Sequence, residues 1–343
     1  MRRIKLIEPG RLELQTIDEH FEVTENTVKV TVKACGICGS DLSLYKGSRD
    51  ISKETYFGHE FSGVITDAGA GTNGLKTGMR VASELVKSCG KCWYCRNGLE
   101  NYCKSMNYAL LPGGFTEETL VTNTDEYGFL SPIPDELDDI TAALMEPANC
   151  AFRIAMKAGV KPGDTVVVFG LGAMGLFSAM IMKTLGAGKI VFANRDGQRL
   201  RNVRDTGLFD VVSTSREGWQ DEIREIIGEK GADVVVEATG ASQVLKDTFG
   251  VVRWGGKIVI GSVYSGLIDG FDPLPIFRKE LTIVGAKGPY PQVKSSGQSA
   301  VVDKLVQLKD DLRKVITVYD YKDALEAFED AKSGKAVKAV IKF

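Results

Sequence analysis

Cys38, His59 and Glu60 are the residues best equipped for chemistry. They stand in Cys38-Gly39-Ser40-Asp41 and Gly58-His59-Glu60, with twenty residues between the cysteine and the histidine. A soft sulfur, an imidazole and a carboxylate are the ligand types of a catalytic Zn²⁺. Glu146, in the pair Glu146-Pro147, offers one more carboxylate. One cysteine and one histidine alone would more commonly be a buried thiol and a core imidazole. Here the chain has only two histidines, His20 and His59, and His59 sits between glycine and glutamate after a cysteine-rich turn. That context favours a metal.

A second cluster has tighter spacing. Cys89-x2-Cys92-x2-Cys95-x7-Cys103 brings four sulfurs onto one short lobe, with Gly90 and Gly98 to let the backbone fold tightly. Four thiolates closing a tetrahedron make a structural zinc site with no position left for water. Two disulfides or four surface thiols are the alternatives. The lobe has little apolar surface to bury, so an ion would hold it together. Two zinc ions per chain are expected, one catalytic and one structural.

The third group is Gly170-Leu171-Gly172-Ala173-Met174-Gly175. A G-x-G-x-x-G pattern is weak evidence alone. Here it follows the buried-strand run Asp164–Phe169 and opens a helical run, Leu176–Leu185, which is the dinucleotide-binding context. The helix start, with Gly170, Gly172, Ala173, Met174 and Gly175, would face the pyrophosphate with free N–H groups. An acidic residue at the end of the next strand would bind the ribose hydroxyls of NAD. The chain instead reads Asn194-Arg195-Asp196, with Arg199 nearby. Asn194 removes the charge that would repel a 2′-phosphate, and Arg195 supplies a planar fork to grip one. NADP(H) is therefore the expected cofactor. NAD(H) is the alternative, with Arg195 solvated and Asp196 on the ribose.

These groups need scaffolds of two kinds. Thr27–Ala34 alternates at period two and delivers Cys35 to Cys38 to a turn, and a second strand, Phe61–Thr66, follows His59. Glycines punctuate this irregular, mostly β region. Beyond it strand runs and helical runs alternate, at Lys189–Ala193, Asp210–Ser213, Asp233–Ala238, Lys257–Gly261 and Leu281–Gly285. Alternation of that kind argues a doubly wound parallel sheet. Asp138 to Met145 reads as a helix start leading into Glu146. After Gly285 come loops over 288–299, helices around Ser299–Leu308 and Lys322–Ser333, and a strand-like tail that returns to the first domain. The expected division is 1–150 with 288–343, and 151–287.

The chain has 343 residues, 43% apolar, enough for two domains with sizeable cores. A formal net charge of −2 offers no basic field for nucleic acid. No apolar run reaches ~18 residues, so no membrane partner is expected. The N-terminus leads into a strand rather than a signal peptide, and metal-spaced cysteines suit a reducing, cytoplasmic compartment.

Over its full length the chain resembles the zinc-dependent medium-chain dehydrogenase/reductase family. The motifs that carry the likeness are Cys38-Gly39-Ser40-Asp41, Gly58-His59-Glu60, the four-cysteine lobe, Glu146-Pro147 and the glycine loop. Glutamate rather than cysteine at Glu146 is similar to the polyol and sugar branch. The resemblance implies an α/β protein, a GroES-like mostly β catalytic domain with a Rossmann domain. It implies zinc held by Cys38, His59 and a carboxylate, Glu60 or Glu146, acting as a Lewis acid on the substrate oxygen. Ser40 matches the hydroxyl that takes the alcohol proton, and Asp41 is placed to orient His59. Ser43, Tyr45, Lys46 and Glu84 are expected to line the substrate cleft with polar groups. The implied reaction is hydride transfer between NADP(H) and a secondary alcohol or ketone of a polyol, sugar or cyclitol. Alternatives are an amino-alcohol dehydrogenase, of aminocyclitol (such as 2-deoxy-scyllo-inosamine) or threonine type, and a catalytically silent binding relative. Two positions depart from the family pattern. Ser43 stands where a proton-relay histidine often sits, and Lys287-Gly288 where some polyol enzymes hold arginine. A homodimer or homotetramer is implied, through the apolar edge strand Leu281–Gly285.

Overall fold

The computed structural model describes every residue except 51–56, 73, 85, 106, 109, 112, 123–129, 265 and 289–299. The loops expected over 288–299 thus lie almost wholly outside the described residues. The chain forms two compact units, Met1–Pro147 with Pro291–Phe343, and Ala148–Tyr290.

The first unit opens with an antiparallel pair, β1 (Arg2–Glu8) and β2 (Arg11–Thr16). Then come β3 (Val28–Gly36), α1 (Gly39–Tyr45), β4 (Glu60–Ala68) and β5 (Arg80–Ser83). The cysteine lobe follows, with short strands β6 (Val86–Lys87), β7 (Asn107–Tyr108) and β8 (Leu110–Leu111), and the one-turn helix α2 (Trp93–Arg96). β9 (Glu118–Val121) and β10 (Leu130–Pro132) lead to α3 (Asp139–Ala142) and α4 (Met145–Ala158). The helix start read at Asp138 is real: its carboxylate accepts from the Thr141 amide at 3.0 Å. It caps a single turn, however, and α4 begins separately at Met145.

In the second unit β11 (Thr165–Phe169) leads through the glycines to α5 (Ala173–Thr184). β12 (Lys189–Asn194), α6 (Gln198–Asp205), β13 (Asp210–Ser213), α7 (Trp219–Ile227), β14 (Ala232–Glu237), α8 (Ser242–Val251) and β15 (Val252–Ile260) alternate after it. α9 (Leu274–Arg278) and β16 (Thr282–Gly285) close the unit. The sheet order is β13-β12-β11-β14-β15-β16, all pairs parallel. This is the doubly wound Rossmann order, whose two halves meet between β11 and β14. β11 is buried throughout, which explains its unbroken apolar run.

α10 (Ala300–Arg313), β17 (Ile316–Asp320), α11 (Ala324–Ser333) and β18 (Lys338–Lys342) return the chain to the first unit. β18 pairs antiparallel with β3, so the first unit's sheet runs β10-β5-β4-β3-β18-β17. Val28, Val30, Val32 and Ala34 point into its core, as the alternation requires. An aromatic cluster of Tyr45, Phe57, Phe115 and Phe328 packs beside them with ring centroids 4.8–5.6 Å apart. No helix among the described residues is long and apolar enough to cross a membrane.

Candidate active site

The register of β3 against β4 builds the first cluster. Gly36, the last residue of β3, faces Glu60, the first of β4. Cys38 and His59 are therefore brought together where the strands part. Gly58 makes the turn at φ +75°, and a Cβ there would collide with the Phe115 ring. Asp41, buried in the first turn of α1, ties the two segments. Its carboxylate accepts from the Cys38 amide at 2.9 Å and the Gly58 amide at 3.1 Å, and lies 3.9 Å from His59 Nδ1. The donor atoms of Cys38, His59 and Glu60 all lie within 4.8 Å of one another.

The surroundings carry negative potential. Burial works against a charged His59, yet Cys38, Asp41 and Glu146 together raise it well above its ordinary range. Burial, then Asp41 and Glu60, push the neighbouring Cys35 thiol up. Such a potential attracts a dication, and the sulfur, nitrogen and oxygen donors suit zinc. Glu146 sits in the first turn of α4 and reaches His59 through its charge.

Lys338 of β18 was not anticipated from the sequence. Its ammonium donates to the Glu60 carboxylate and, at 2.9 Å, to the Ile37 carbonyl. Both side chains are buried. The signal available was slight: Lys338 shares a strand face with Val340, but also with the exposed Lys342.

Of the expected substrate-lining residues, Tyr45 must be reassigned. Asp41, Leu44 and Tyr45 form the buried face of α1. The Tyr45 ring packs against Phe328, and its hydroxyl donates to Glu329 at 2.7 Å. Burial, with Glu329 as acceptor, pushes that hydroxyl up to about 12. It is a core residue of the first unit. The Ser43 hydroxyl donates back to the Gly39 carbonyl at 2.9 Å. Lys46 is exposed at the end of α1. Glu84, just after β5, accepts from the Ser131 hydroxyl of β10. Ser40 is half-buried on α1.

The four sulfurs of Cys89, Cys92, Cys95 and Cys103 also lie within 4.8 Å of one another. Cys92 and Cys95 are 3.4 Å apart, and Cys89 and Cys95 4.0 Å. A tetrahedron with ~2.3 Å zinc–sulfur bonds has edges of about 3.8 Å, so the lobe is shaped for that ion. All seven cysteines are free, which removes the disulfide reading. Backbone N–H groups of Lys91 and Cys92 lower the Cys89 thiol to about 6, while burial pushes Cys95 up to about 12.

In the second unit each glycine of the loop has its own reason. Gly170 turns at φ +107°, and a Cβ on it would lie 2.9 Å from the Ala238 carbonyl. Gly172 precedes α5 and faces open space, leaving room for a ligand. A Cβ on Gly175 would strike the Gly170 carbonyl, so helix and strand pack closely only with glycine there. Ala173 and Met174 open α5, where first-turn amides lack helical acceptors. Asn194 ends β12 and donates to the Arg195 carbonyl at 3.0 Å. Arg195 and Asp196 are exposed, and Arg199 is half-buried on α6, its guanidinium lowered by burial.

A thiolate–imidazole–carboxylate cluster in one unit and a Rossmann sheet carrying a glycine loop in the other define a metal-dependent dinucleotide dehydrogenase. Residues 24–135 match the alcohol dehydrogenase GroES-like domain, and residues 173–307 the zinc-binding dehydrogenase domain. Sorbitol dehydrogenase of Halalkalibacterium halodurans is 30% identical over 94% of this chain and 95% of its own. A probable D-xylulose reductase A of Aspergillus clavatus is 33% identical over 92% of this chain and 88% of its own. The crystal structure of 2R,3R-butanediol dehydrogenase from Bacillus subtilis superposes with a TM-score of 0.81 at 27% identity, covering 100% of this chain and 99% of that one. The chain belongs to the zinc-dependent medium-chain dehydrogenase/reductase (alcohol dehydrogenase) family. It is an oxidoreductase using zinc, a nicotinamide cofactor and a small-molecule substrate.

Proposed function

We propose that this enzyme interconverts a secondary alcohol and ketone on a polyhydroxylated substrate, a polyol, sugar or cyclitol, with NADP(H) preferred. The observation that carries the reading is the Cys38–His59–Glu60 cluster, with His59 and Glu60 buried and Cys38 half-buried, held by Asp41 and Lys338. The relatives named for sorbitol and xylulose support the substrate class. In this reading the first unit is the catalytic zinc-binding domain and the second binds the dinucleotide.

Cys38, His59 and a carboxylate from Glu60 or Glu146 hold the catalytic ion. Zinc bound there supplies Lewis acidity to the substrate oxygen. Asp41 keeps the cysteine and histidine segments in place. Ser40, two residues beyond Cys38, receives the alcohol proton. Ser43, Lys46 and Glu84 supply the polar lining, without Tyr45, whose hydroxyl is taken by Glu329. Cys89, Cys92, Cys95 and Cys103 hold the structural ion. Gly170, Gly172, Ala173, Met174 and Gly175 receive the pyrophosphate, and Asn194, Arg195 and Arg199 the 2′-phosphate. A homodimer or homotetramer through the edge strand β16 accords with Ile283 and Val284 on that strand and exposed Phe277 nearby. A cytoplasmic setting suits seven free thiols.

The test is an activity panel of polyols, aldoses, their phosphates, amino alcohols, ethanol and cyclohexanol, each with NADP and NAD. Polar groups left unpaired by an aliphatic alcohol penalise it, so a polyol-type substrate should lead by orders of magnitude in kcat/KM. Hydrophobic alcohols as the best substrates would refute the proposal.

A further inference from the structure

Glu237 ends β14 and is wholly buried, yet the chemistry above makes no use of it. A buried carboxylate is costly unless its acceptor positions are filled. Here they are filled from two different loops. One oxygen accepts from the Thr239 amide at 2.7 Å, the Thr239 hydroxyl at 2.5 Å and the Gly240 amide at 3.1 Å, in the loop after β14. The other accepts from the hydroxyls of Ser262 and Tyr264, each at 2.5 Å, in the loop after β15. A single side chain thus clamps the ends of two adjacent strands. A satisfied buried network of this kind specifies one arrangement of its members.

The clamp lies at the strand ends where the sheet's two halves meet. Glu237 pairs in register with Phe169, the residue before Gly170. The Ala238 amide donates to the Phe169 carbonyl at 2.9 Å. In doubly wound sheets the dinucleotide lies across the carboxyl ends of the strands at this junction, one mononucleotide on each half. The half made of β11, β12 and β13 carries the glycine loop and Asn194-Arg195. The other mononucleotide, bearing the nicotinamide, falls to β14, β15 and β16. The loops that Glu237 joins follow the first two strands of that second half. They also touch directly, since a Cβ on Gly240 would lie 2.5 Å from the Val263 carbonyl. Val263, between the two clamped hydroxyls, is held 87% exposed, an apolar side chain turned away from the core.

We propose that Glu237 is a positioning residue for the nicotinamide half of the cofactor, fixing Thr239-Gly240 and Ser262–Tyr264 in the single arrangement against which that half docks. The inference rests on reading Gly170–Gly175 as the pyrophosphate loop.

Calorimetric titration of the full-length protein with two probes tests it. One is the dinucleotide, NADPH or NADH, whichever the wild type turns over. The other is ADP, which has the pyrophosphate but no nicotinamide half. Glu237→Ala and Tyr264→Phe should weaken the dinucleotide about tenfold, the effect of one charge-assisted hydrogen bond. ADP affinity should stay within about twofold, the spread of an uninvolved contact. Glu237→Gln should fall between, because the Ser262 and Tyr264 hydroxyls can turn to accept from its amide. Equal weakening of both probes would make Glu237 a purely structural residue and overturn the proposal. So would unchanged dinucleotide affinity in Tyr264→Phe, which keeps the ring and folds even if Glu237→Ala does not. Gly172→Val separates the underlying reading: its side chain enters open space at the loop and should abolish ADP binding. Retained ADP binding there would refute the pyrophosphate assignment itself.

Discussion

Replacing Lys338 by Met removes the cation from an enclosed ion pair. The Lys338 and Glu60 side chains are 3% and 1% exposed, so water cannot stand in for the lost partner. Leaving one member of a buried pair uncompensated costs about 3–5 kcal/mol. Met matches the alkyl stem of lysine, so the loss comes from charge rather than from a cavity. At about 2–4 °C per kcal/mol for a unit of roughly 200 residues, the midpoint should fall by about 6–20 °C. Scanning calorimetry in the presence of a chelator reads this directly. The double variant Glu60→Gln with Lys338→Met should recover most of the loss, because the orphaned charge is gone. Zinc added to Lys338→Met should also restore part of it, by binding the folded state. A midpoint for Lys338→Met within about 2 °C of wild type would refute the claim that the pair is sealed from solvent. A double variant no better than the single would refute the orphaned carboxylate as the cause.

Arg195→Ala should weaken NADPH by roughly 1.5–3 kcal/mol in a fluorescence titration and leave NADH nearly unchanged. Equal kcat/KM with both cofactors in the unmodified enzyme would contradict the 2′-phosphate assignment. Elemental analysis should find two zinc ions per chain, and Cys92→Ser should lose one of them together with thermal stability. Fully active protein with a single zinc would remove the structural site. Tyr45→Phe should lower stability by about 1 kcal/mol, a charge-assisted bond discounted for the 46% exposure of Glu329. It should leave substrate KM unaltered, and a changed KM at wild-type stability would return Tyr45 to the substrate site.

The parts of the fold legible in the sequence are those whose cause is local. β3 shows its alternation because one face is core, and β11 shows an unbroken apolar run because both faces are. The glycine loop is visible because Gly170 and Gly175 answer steric demands within the turn or against the adjacent strand end, and Gly172 leaves open space. The cysteine lobe is visible because a tetrahedron of sulfurs dictates short spacings. Tyr45 was misplaced for the opposite reason. α1 has only seven residues, too few for a helical period to stand out, so Tyr45 on its buried face was read as part of a polar lining. Lys338 and Glu237 were missed because their roles are set by distant partners. The Glu60–Lys338 pair spans 278 positions and exists only because β18 lies against β3. Ser262 and Tyr264 meet Glu237 only because β15 lies beside β14.

The charges of the first cluster form one system rather than a set of ligands. Cys38, Asp41, Glu60 and Glu146 act on His59 or its neighbours, and Lys338 is a buried cation set against them. His59 is raised despite burial, and Asp41 is raised by burial, with the nearby positive imidazole and two backbone amides working the other way. Lys338 is raised as well: burial opposes its charge, but Glu60, Cys38 and Asp41 outweigh it. A site whose negative groups favour positive charge on both His59 and Lys338 despite burial also favours a cation. Lys338 sets how large that preference is, because it already answers Glu60. What remains for an ion is a thiolate, an imidazole and whichever carboxylate is not engaged, close to the two negative charges that a dication balances. The lysine therefore belongs to the design of the metal site as much as the ligands do. Its removal should register in zinc affinity as well as in the stability of the fold.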